Sequence, residues 1–381
     1  MTTYRPFVDF YRENRISPVS QDIADLQRHY ERRASLYRLL GIAPGAVADK
    51  HVAEFGPGSG HNAIATAAYG PRSYRFIDGN PTGIARLRDL LATHAPGLHY
   101  DVVESFIEDY QEPDRYDLVI CEGVIPFQLE PKRFARHVAG FAAPGGIVSL
   151  TTIDAASFLG DLGRRLIADK LVPASLPAAE RVRQLMPHFA PHVSTLGGMS
   201  RPLDDYLFDN TVQPLPGKMF SFADALDALD DDFDFYGSSP SFVTELRWFK
   251  TLYGDAKQTN ARARNAYLCN VVNLLDSRIE IPPHDAELGT AILGHAASLY
   301  AAMQALEAAG STDTAHIAPF VASIADLARP LSPKTSEALD LLAGVLAAKT
   351  ATMPGGSFAS FFGRGMQYIS FLRRGSRSPA L

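Results

Sequence analysis

The sequence predicts an α/β protein whose parallel sheet is covered by helices on both faces. Three observations carry this. Between His51 and Leu150, short apolar runs alternate with helical stretches. The runs are near-continuously apolar rather than alternating, as strands buried on both faces must be. And the first run passes straight through a glycine-rich turn, Gly56-Pro57-Gly58-Ser59-Gly60, into a helix. In such a sheet that turn places a ligand crevice at the carboxyl edge of the strands.

Taken in order, Ile23, Leu26, Tyr30, Ala34 and Tyr37 recur at helical spacing, predicting a helix over 20–40 capped by Ser20 and stopped by Gly41. Strands are predicted at His51–Phe55, Tyr74–Asp78, Leu98–Val103, Asp117–Cys121 and Gly145–Leu150. Helices are expected between them at 62–69, 81–93 and 131–141. From about 155 to 219 the chain is punctuated by Pro and Gly and the alternation stops. Another helix is expected to start at Phe220-Ser221-Phe222, and a late strand at Phe233–Tyr236. Beyond Gly254 the Ala-rich runs Leu288–Ala309 and Ser336–Thr350 carry Leu, Ile and Met at helical spacing, the pattern of an amphipathic bundle. The tail from Phe361 to Arg374 mixes aromatics with Arg and is expected to dock on the fold. The expected division is thus a helical N-terminal segment, 1–48, a sheet domain, 49–250, with an insert at about 155–219, and a helical extension, 251–381.

The chain's 381 residues exceed what one core usually fills, in keeping with a full domain plus extra structure. A net charge of -6 with scattered Lys and Arg argues against a nucleic-acid partner, which needs a basic stripe. No apolar run reaches the roughly 18 residues of a membrane span, and Met1–Pro6 lacks a signal peptide's apolar stretch. A cytoplasmic location is expected. Cys121 and Cys269 stand far apart in apolar runs, reading as small buried hydrophobes and giving neither a disulfide framework nor a metal site.

The glycine turn is not a dinucleotide loop. That fingerprint needs a third glycine three residues after the second, where this chain has His61. Instead glycines fall at 56, 58 and 60, two residues after the acidic Glu54, and a second acid, Asp78, follows 24 positions later (78 − 54) at the end of the second strand. Glu54-Phe55-Gly56-Pro57-Gly58-Ser59-Gly60 resembles motif I of the class I methyltransferases, E/D-x-G-x-G-x-G. The resemblance continues through Ser105-Phe106, through Asp117 to Val124, and through the Pro144-Gly145-Gly146 turn into the fifth strand. Ser105 departs from the commoner Asp. The N-terminal phrases Ile16–Ile23 and His29–Arg38, with Ser239–Phe242, Arg247–Lys250 and Gly363–Tyr368, are similar to an uncharacterised bacterial subgroup of that family.

The resemblance implies a Rossmann-like class I methyltransferase fold with an N-terminal helical lid and a helical C-terminal extension, and S-adenosyl-L-methionine as cofactor. It implies that Glu54, Gly56, Gly58, Gly60 and His61 lie around the cofactor's amino-acid end. Asp78, with Gly79 and Asn80, is expected at the ribose, Ser105 and Phe106 at the adenine, and Glu122, Gly123 and Val124 at the methionine end. Methyl transfer demands in-line alignment, a base for an acidic nucleophile and aromatic faces near a sulfonium. Glu122, Asp154 and Tyr30 are the candidates at the reacting centre, while Tyr4, Tyr11, Tyr37 and Phe127 add aromatic surface. Asp204, Asp205 and Asp209 read as solvated loop acids. Residues 1–48 are expected to cover the cofactor, so that deleting them abolishes binding without unfolding the sheet. The expected activity is methylation of an oxygen or nitrogen of a small-molecule or glycan substrate. The alternative consumes the cofactor, releasing methylthioadenosine by cyclisation or aminocarboxypropyl transfer. No metal is expected, and a homodimer is compatible with the sequence.

Overall fold

The computed structural model describes residues 5–17, 20–254 and 257–375, so Tyr4 and the Pro18-Val19 step lie outside the described residues. Seven strands, β1 His51–Phe55, β2 Ser73–Asp78, β3 Tyr100–Glu104, β4 Tyr116–Cys121, β5 Ala142–Thr152, β6 Phe233–Ser239 and β7 Gln367–Arg373, form one sheet in the order β3-β2-β1-β4-β5-β7-β6. β1 to β5 run parallel, and β7 is antiparallel to both β5 and β6. The predicted α/β class with a Rossmann-like sheet is borne out.

The helices are α1 Pro6–Asn14, α2 Leu26–Leu39, α3 Ala63–Ala67, α4 Pro81–His94, α5 Pro131–Ala139, α6 Leu159–Leu171, α7 Ala178–Val193, α8 Leu203–Leu207, α9 Phe222–Leu229, α10 Thr259–Leu268, α11 Val271–Leu275, α12 Ala286–Ala309, α13 Ala318–Ala328 and α14 Pro333–Ala347. Among the described residues no helix is long and apolar enough to cross a membrane.

The chain divides into two compact units, neither continuous in sequence. Unit 1 is 1–152, 217–267 and 367–381; unit 2 is 153–216 and 268–366. In unit 1 β1, β2 and β4 are largely buried as expected, β1 being covered from its second residue on, whereas the edge strand β3 has no fully buried residue. β5 is longer than predicted because its second half, Ile147–Thr152, is paired along its other edge by β7. The tail that was expected only to dock supplies that strand, with Gln367, Ile369 and Phe371 buried.

The N-terminal segment is two structures rather than one lid. α2 starts at Leu26 and not at Ser20, because the Asp25 carboxylate accepts from the Arg28 amide at 3.0 Å and makes the cap. Its Tyr37, with Leu40, Ile42 and Val47 beyond it, sits in the same core cluster as Val52, Phe76 and Leu118. The end of α2 also presses on β6, where a Cβ on Gly237 would collide with the Leu39 carbonyl. The expectation that 1–48 can be deleted with the sheet intact therefore fails, since the cut removes four core side chains. Ile23, just before the Asp25 cap, also packs against that core.

Unit 2 is helical throughout its regular structure. The punctuated insert forms α6, α7 and α8, and α7 carries Pro187 and Pro191 inside it. Val182, Leu185, Phe189 and Val193 of α7 pack with Ala168, Tyr206 and Phe362 into a core of their own. Asp205 and Asp209 are ion-paired with Arg201 at 2.7 and 2.8 Å rather than solvated, while Asp204 is exposed. Cys121 is buried as expected; Cys269 is only partly so.

Candidate active site

The sheet order reverses between β1 and β4: β1 pairs with β2 on one side and β4 on the other. A crevice opens at such a switch point, outside the carboxyl ends of the strands. The glycine loop leaves β1 there, and Glu122-Gly123-Val124 leaves β4 beside it.

The loop's backbone explains its glycines. Gly56, Gly58 and Gly60 have φ of 71°, 55° and 83°, a region L-residues avoid. A Cβ on Gly56 would also run into the Val124 side chain, and one on Gly60 into Leu87. Motif I and the fourth-strand residues thus meet in direct contact. The Asp78 carboxylate ties the second strand to the loop: Oδ2 accepts from the Gly58 amide at 3.1 Å and Oδ1 from the Asn80 amide at 2.7 Å. Asn80 caps α4 through the Thr82 amide, and its Nδ2 donates to the Ile16 carbonyl at 3.1 Å. Ser105 continues the same edge, its amide donating to the Asp78 carbonyl at 3.0 Å.

Burial raises the carboxyls here. Desolvation lifts Asp78 from 3.8 to about 6 against its backbone donors, and lifts Glu54 from 4.5 to about 7. Glu54 accepts a short hydrogen bond from the Tyr74 hydroxyl. Glu122 is held differently. Both of its oxygens accept from the Arg33 guanidinium, at 2.9 and 3.0 Å, a buried bidentate pair. Arg33 also donates to the Tyr37 hydroxyl, which is bonded to Thr66 Oγ1 at 2.6 Å. With both oxygens engaged by Arg33, the Glu122 carboxylate ties α2 to the exit of β4.

His61 is bonded to Ser59 Oγ at 2.7 Å, and its own carbonyl is 2.7 Å from His29 Nε2. Desolvation lowers His61 to about 4, with His29 and Arg86 adding to the effect, so its ring is neutral at pH 7. Tyr30 is half-buried against the core cluster, and Tyr37 is inside it. Asp154 belongs to unit 2, where Oδ1 accepts from the Ser157 amide at 2.8 Å.

α1 brings groups that the sequence did not single out. The Arg5 guanidinium lies 3.6 Å over the Phe106 ring and pairs with Asp109 at 2.7 Å. Phe7 meets Phe127 edge-on at 6.5 Å and stacks on Tyr11 at 6.4 Å. Three side-chain atoms of the N-terminal segment, Arg5 Nη1, Ser17 Oγ and Arg33 Nε, are buried without a hydrogen-bond partner. Such orphans in a native fold call for a partner that completes them. Arg33 and Ser17 could not be found from sequence, because Arg33 and its carboxylate are 89 positions apart.

A separate groove of about 260 Å³ opens at the opposite, amino ends of the strands, where His51, Ser73 and Tyr116 line it. The glycine loop and its acids are not part of that groove. Among the described residues no group of three or more His, Cys, Asp or Glu could hold a metal ion.

A profile described as a methyltransferase domain matches residues 25–194. The chain is similar to the magnesium protoporphyrin IX methyltransferase ChlM from Synechocystis PCC 6803 with bound S-adenosylhomocysteine. The identity is 16% and the TM-score 0.36, over 61% of this chain and 87% of that one. It is also similar to the N-methyltransferase NodS from Bradyrhizobium japonicum WM9 in complex with S-adenosyl-L-homocysteine (18%, TM-score 0.32, 39% of this chain, 75% of that one). A third likeness is to an O-methyltransferase family protein from Burkholderia thailandensis (16%, TM-score 0.33), of which the match covers 52%, against 55% of this chain. No curated protein matches. The profile match spans less than half of the chain.

Proposed function

From the methyltransferase-domain match over residues 25–194 and the glycine loop, we propose that the chain is a class I S-adenosylmethionine-dependent methyltransferase that methylates an oxygen or nitrogen of a small metabolite or sugar. The observation that supports this reading most is the glycine loop at the switch point, with Asp78 bonded across it to the Gly58 amide. When bound, S-adenosylmethionine supplies an electrophilic methyl group on a sulfonium.

The chain's own residues then divide the work. Gly56, Gly58 and Gly60 leave the backbone bare, so that a carboxylate can approach the loop N–H groups and an ammonium its carbonyls. Asp78, with Gly79 and Asn80 beside it, accepts from ribose hydroxyls, and Ser105 and Phe106 flank the adenine. Ser17 Oγ and Arg33 Nε, buried and unpartnered, are donors suited to the cofactor's carboxylate, and they fit the group on that ground. The Arg33–Glu122 pair fixes the exit of β4, and with it Gly123 and Val124. Tyr30 remains a candidate for the proton transfer that an alcohol acceptor requires. α1 acts as the cover over the crevice.

Mass spectrometry of the purified protein with S-adenosylmethionine tests the reading. Without acceptor, the nucleoside is expected to bind and remain intact; with a panel of hydroxylated and amino metabolites, S-adenosylhomocysteine should accumulate. Methylthioadenosine formed without any acceptor would overturn methyl transfer in favour of chemistry that consumes the cofactor.

A further inference from the structure

The pairing of the central strands puts three acids on one face of the sheet. Glu54 on β1 lies opposite Phe76 of β2 and Ile120 of β4. Asp78 and Glu122 stand two residues beyond those partners, so all three side chains leave the same face. Glu54 is set back from the carboxyl edge by those two residues, roughly 7 Å, and the other two acids flank it on the neighbouring strands.

The three are compensated unequally. Glu122 has the bidentate Arg33 guanidinium, and Asp78 has the Gly58 and Asn80 amides. Glu54, 5% exposed, accepts from a neutral group, the Tyr74 hydroxyl. Among the described residues of unit 1, Arg33 is the only Lys or Arg that is buried, and Glu122 already holds it. The groups that face Glu54 are Arg33 and Tyr37 from α2, Tyr74 and Asp78 from β2, and Cys121 and Glu122 from β4. Burial raises Tyr37, Tyr74 and Cys121 and keeps all three neutral, so a single cation stands among three acids. A carboxylate buried without a counter-charge is costly, which is why burial holds Glu54 near neutrality.

The order of the strands puts the middle of a bound nucleoside over this acid. β1 lies between β2 and β4, so a ligand that reaches from Asp78 to Glu122 crosses β1 at the end that holds Glu54. In S-adenosylmethionine the atom between the ribose and the amino-acid arm is the sulfur. That sulfur is a permanent cation there and a neutral thioether in S-adenosylhomocysteine. The ribose, ammonium and carboxylate are common to both. In a low-dielectric site a unit charge is felt across several ångströms without direct contact. We propose that Glu54 reads the charge on the sulfur: in its ionised form it supplies the counter-charge that favours the cationic cofactor over the spent, neutral one. This rests on the methyltransferase reading above and gives Glu54 the task of selecting between the substrate and product forms of the cofactor.

The sign of the pH dependence follows. A cation beside the acid favours its ionised form, so S-adenosylmethionine displaces a proton wherever the free protein still holds one, below about pH 7. Its affinity therefore rises with pH up to that value and then levels off. Whatever the ribose does to Asp78 is shared by both nucleosides and cancels in the ratio of their affinities.

The test is titration calorimetry of the full chain with each nucleoside at pH 5, 6 and 7, in two buffers of different ionisation enthalpy. The expected result is a ratio of affinities that moves about tenfold toward S-adenosylmethionine between pH 5 and pH 7, with more protons released by that ligand than by S-adenosylhomocysteine. Glu54→Gln should flatten the ratio and Glu54→Asp should restore its slope, with S-adenosylhomocysteine binding checking that each variant keeps its site. The proposal is overturned by a ratio that does not change with pH, or by a slope that survives in Glu54→Gln. Should Glu54→Gln not fold, the wild-type ratio and the Glu54→Asp variant still decide it. If neither nucleoside binds the wild type at any pH, the cofactor reading itself fails, so the two failures are distinguishable.

Discussion

Buried charge is treated in opposite ways at Arg164 of unit 2 and at the two strand-end acids of unit 1. In unit 2, Arg164 is completely buried and saturated: it donates to the carbonyls of Gly160, Phe361 and Phe358 at 3.1, 2.8 and 3.0 Å. Its Nε donates to His192 Nδ1 at 3.2 Å, and that ring is held neutral, lowered to about 4 by desolvation and by Arg164 itself. The Phe362 ring covers the guanidinium at 3.7 Å. In unit 1, Glu54 and Asp78 are buried at strand ends, where burial holds their carboxyls near neutrality. A buried ion with every donor matched is architecture. A buried acid that burial disfavours, placed at the mouth of a crevice, is a cost that a ligand's hydroxyl or cationic group can relieve.

If that contrast is sound, the largest effect belongs to unit 2. Arg164→Met takes a donor from the Gly160, Phe358, Ala359 and Phe361 carbonyls, of which Phe358 keeps the Phe361 amide, and should remove about 3–5 kcal/mol of stability, the range for breaking a buried charged network. Thermal denaturation of the variant reads this directly; a melting temperature equal to wild type would make Arg164 a passenger.

The next effect has the opposite sign. An acid whose pKa is higher folded than unfolded binds more protons in the native state, so its contribution is fully favourable below the unfolded value and falls as pH rises to the folded one. For Glu54 that window runs from 4.5 to about 7, and for Asp78 from 3.8 to about 6. At pH 8 each ionised acid costs on the order of 3 kcal/mol. Glu54→Gln should therefore be more stable than wild type at pH 8 and close to it at pH 4, measured as the difference between the two pH–stability curves. Asp78→Asn should show the same gain over its lower window while binding S-adenosylhomocysteine at least tenfold more weakly. A variant that loses stability at pH 8 would put these acids with Arg164 on the architectural side.

The same contrast explains what the sequence disclosed. The glycine loop was legible because its logic is local: positive φ at three alternate residues, an acid before them, and a helix after. β1, β2 and β4 were legible because strands buried on both faces carry long apolar runs. β7 was not, since Gln367–Arg373 sits among glycines and arginines and its partners, Ile147 to Thr152 and Phe233 to Ser239, are remote in sequence. Prolines 187 and 191 read as breaks, yet lie within α7. The Arg33–Glu122 pair joins two motifs that were each noticed, but nothing in either encodes the distance between them. Unit 2 is built from two separated stretches, and no periodicity announces that they share a core.

The smallest expected effect tests whether α1 covers the crevice or contributes to it. Arg5 lies on the face of Phe106, the ring expected beside the adenine. A guanidinium over an aromatic ring at a partly exposed site is worth about 0.5–1 kcal/mol, and its ion pair with the exposed Asp109 adds little. If Arg5 must leave when a nucleoside arrives, Arg5→Ala removes that opposition and should tighten S-adenosylhomocysteine by about two- to fivefold. Phe106→Ala should weaken it. Calorimetry on the two variants decides between a cover and a contact. Weaker binding by Arg5→Ala would mean that the guanidinium stays and that its unpartnered Nη1 donates to the ligand, making the first turn of α1 part of the binding surface.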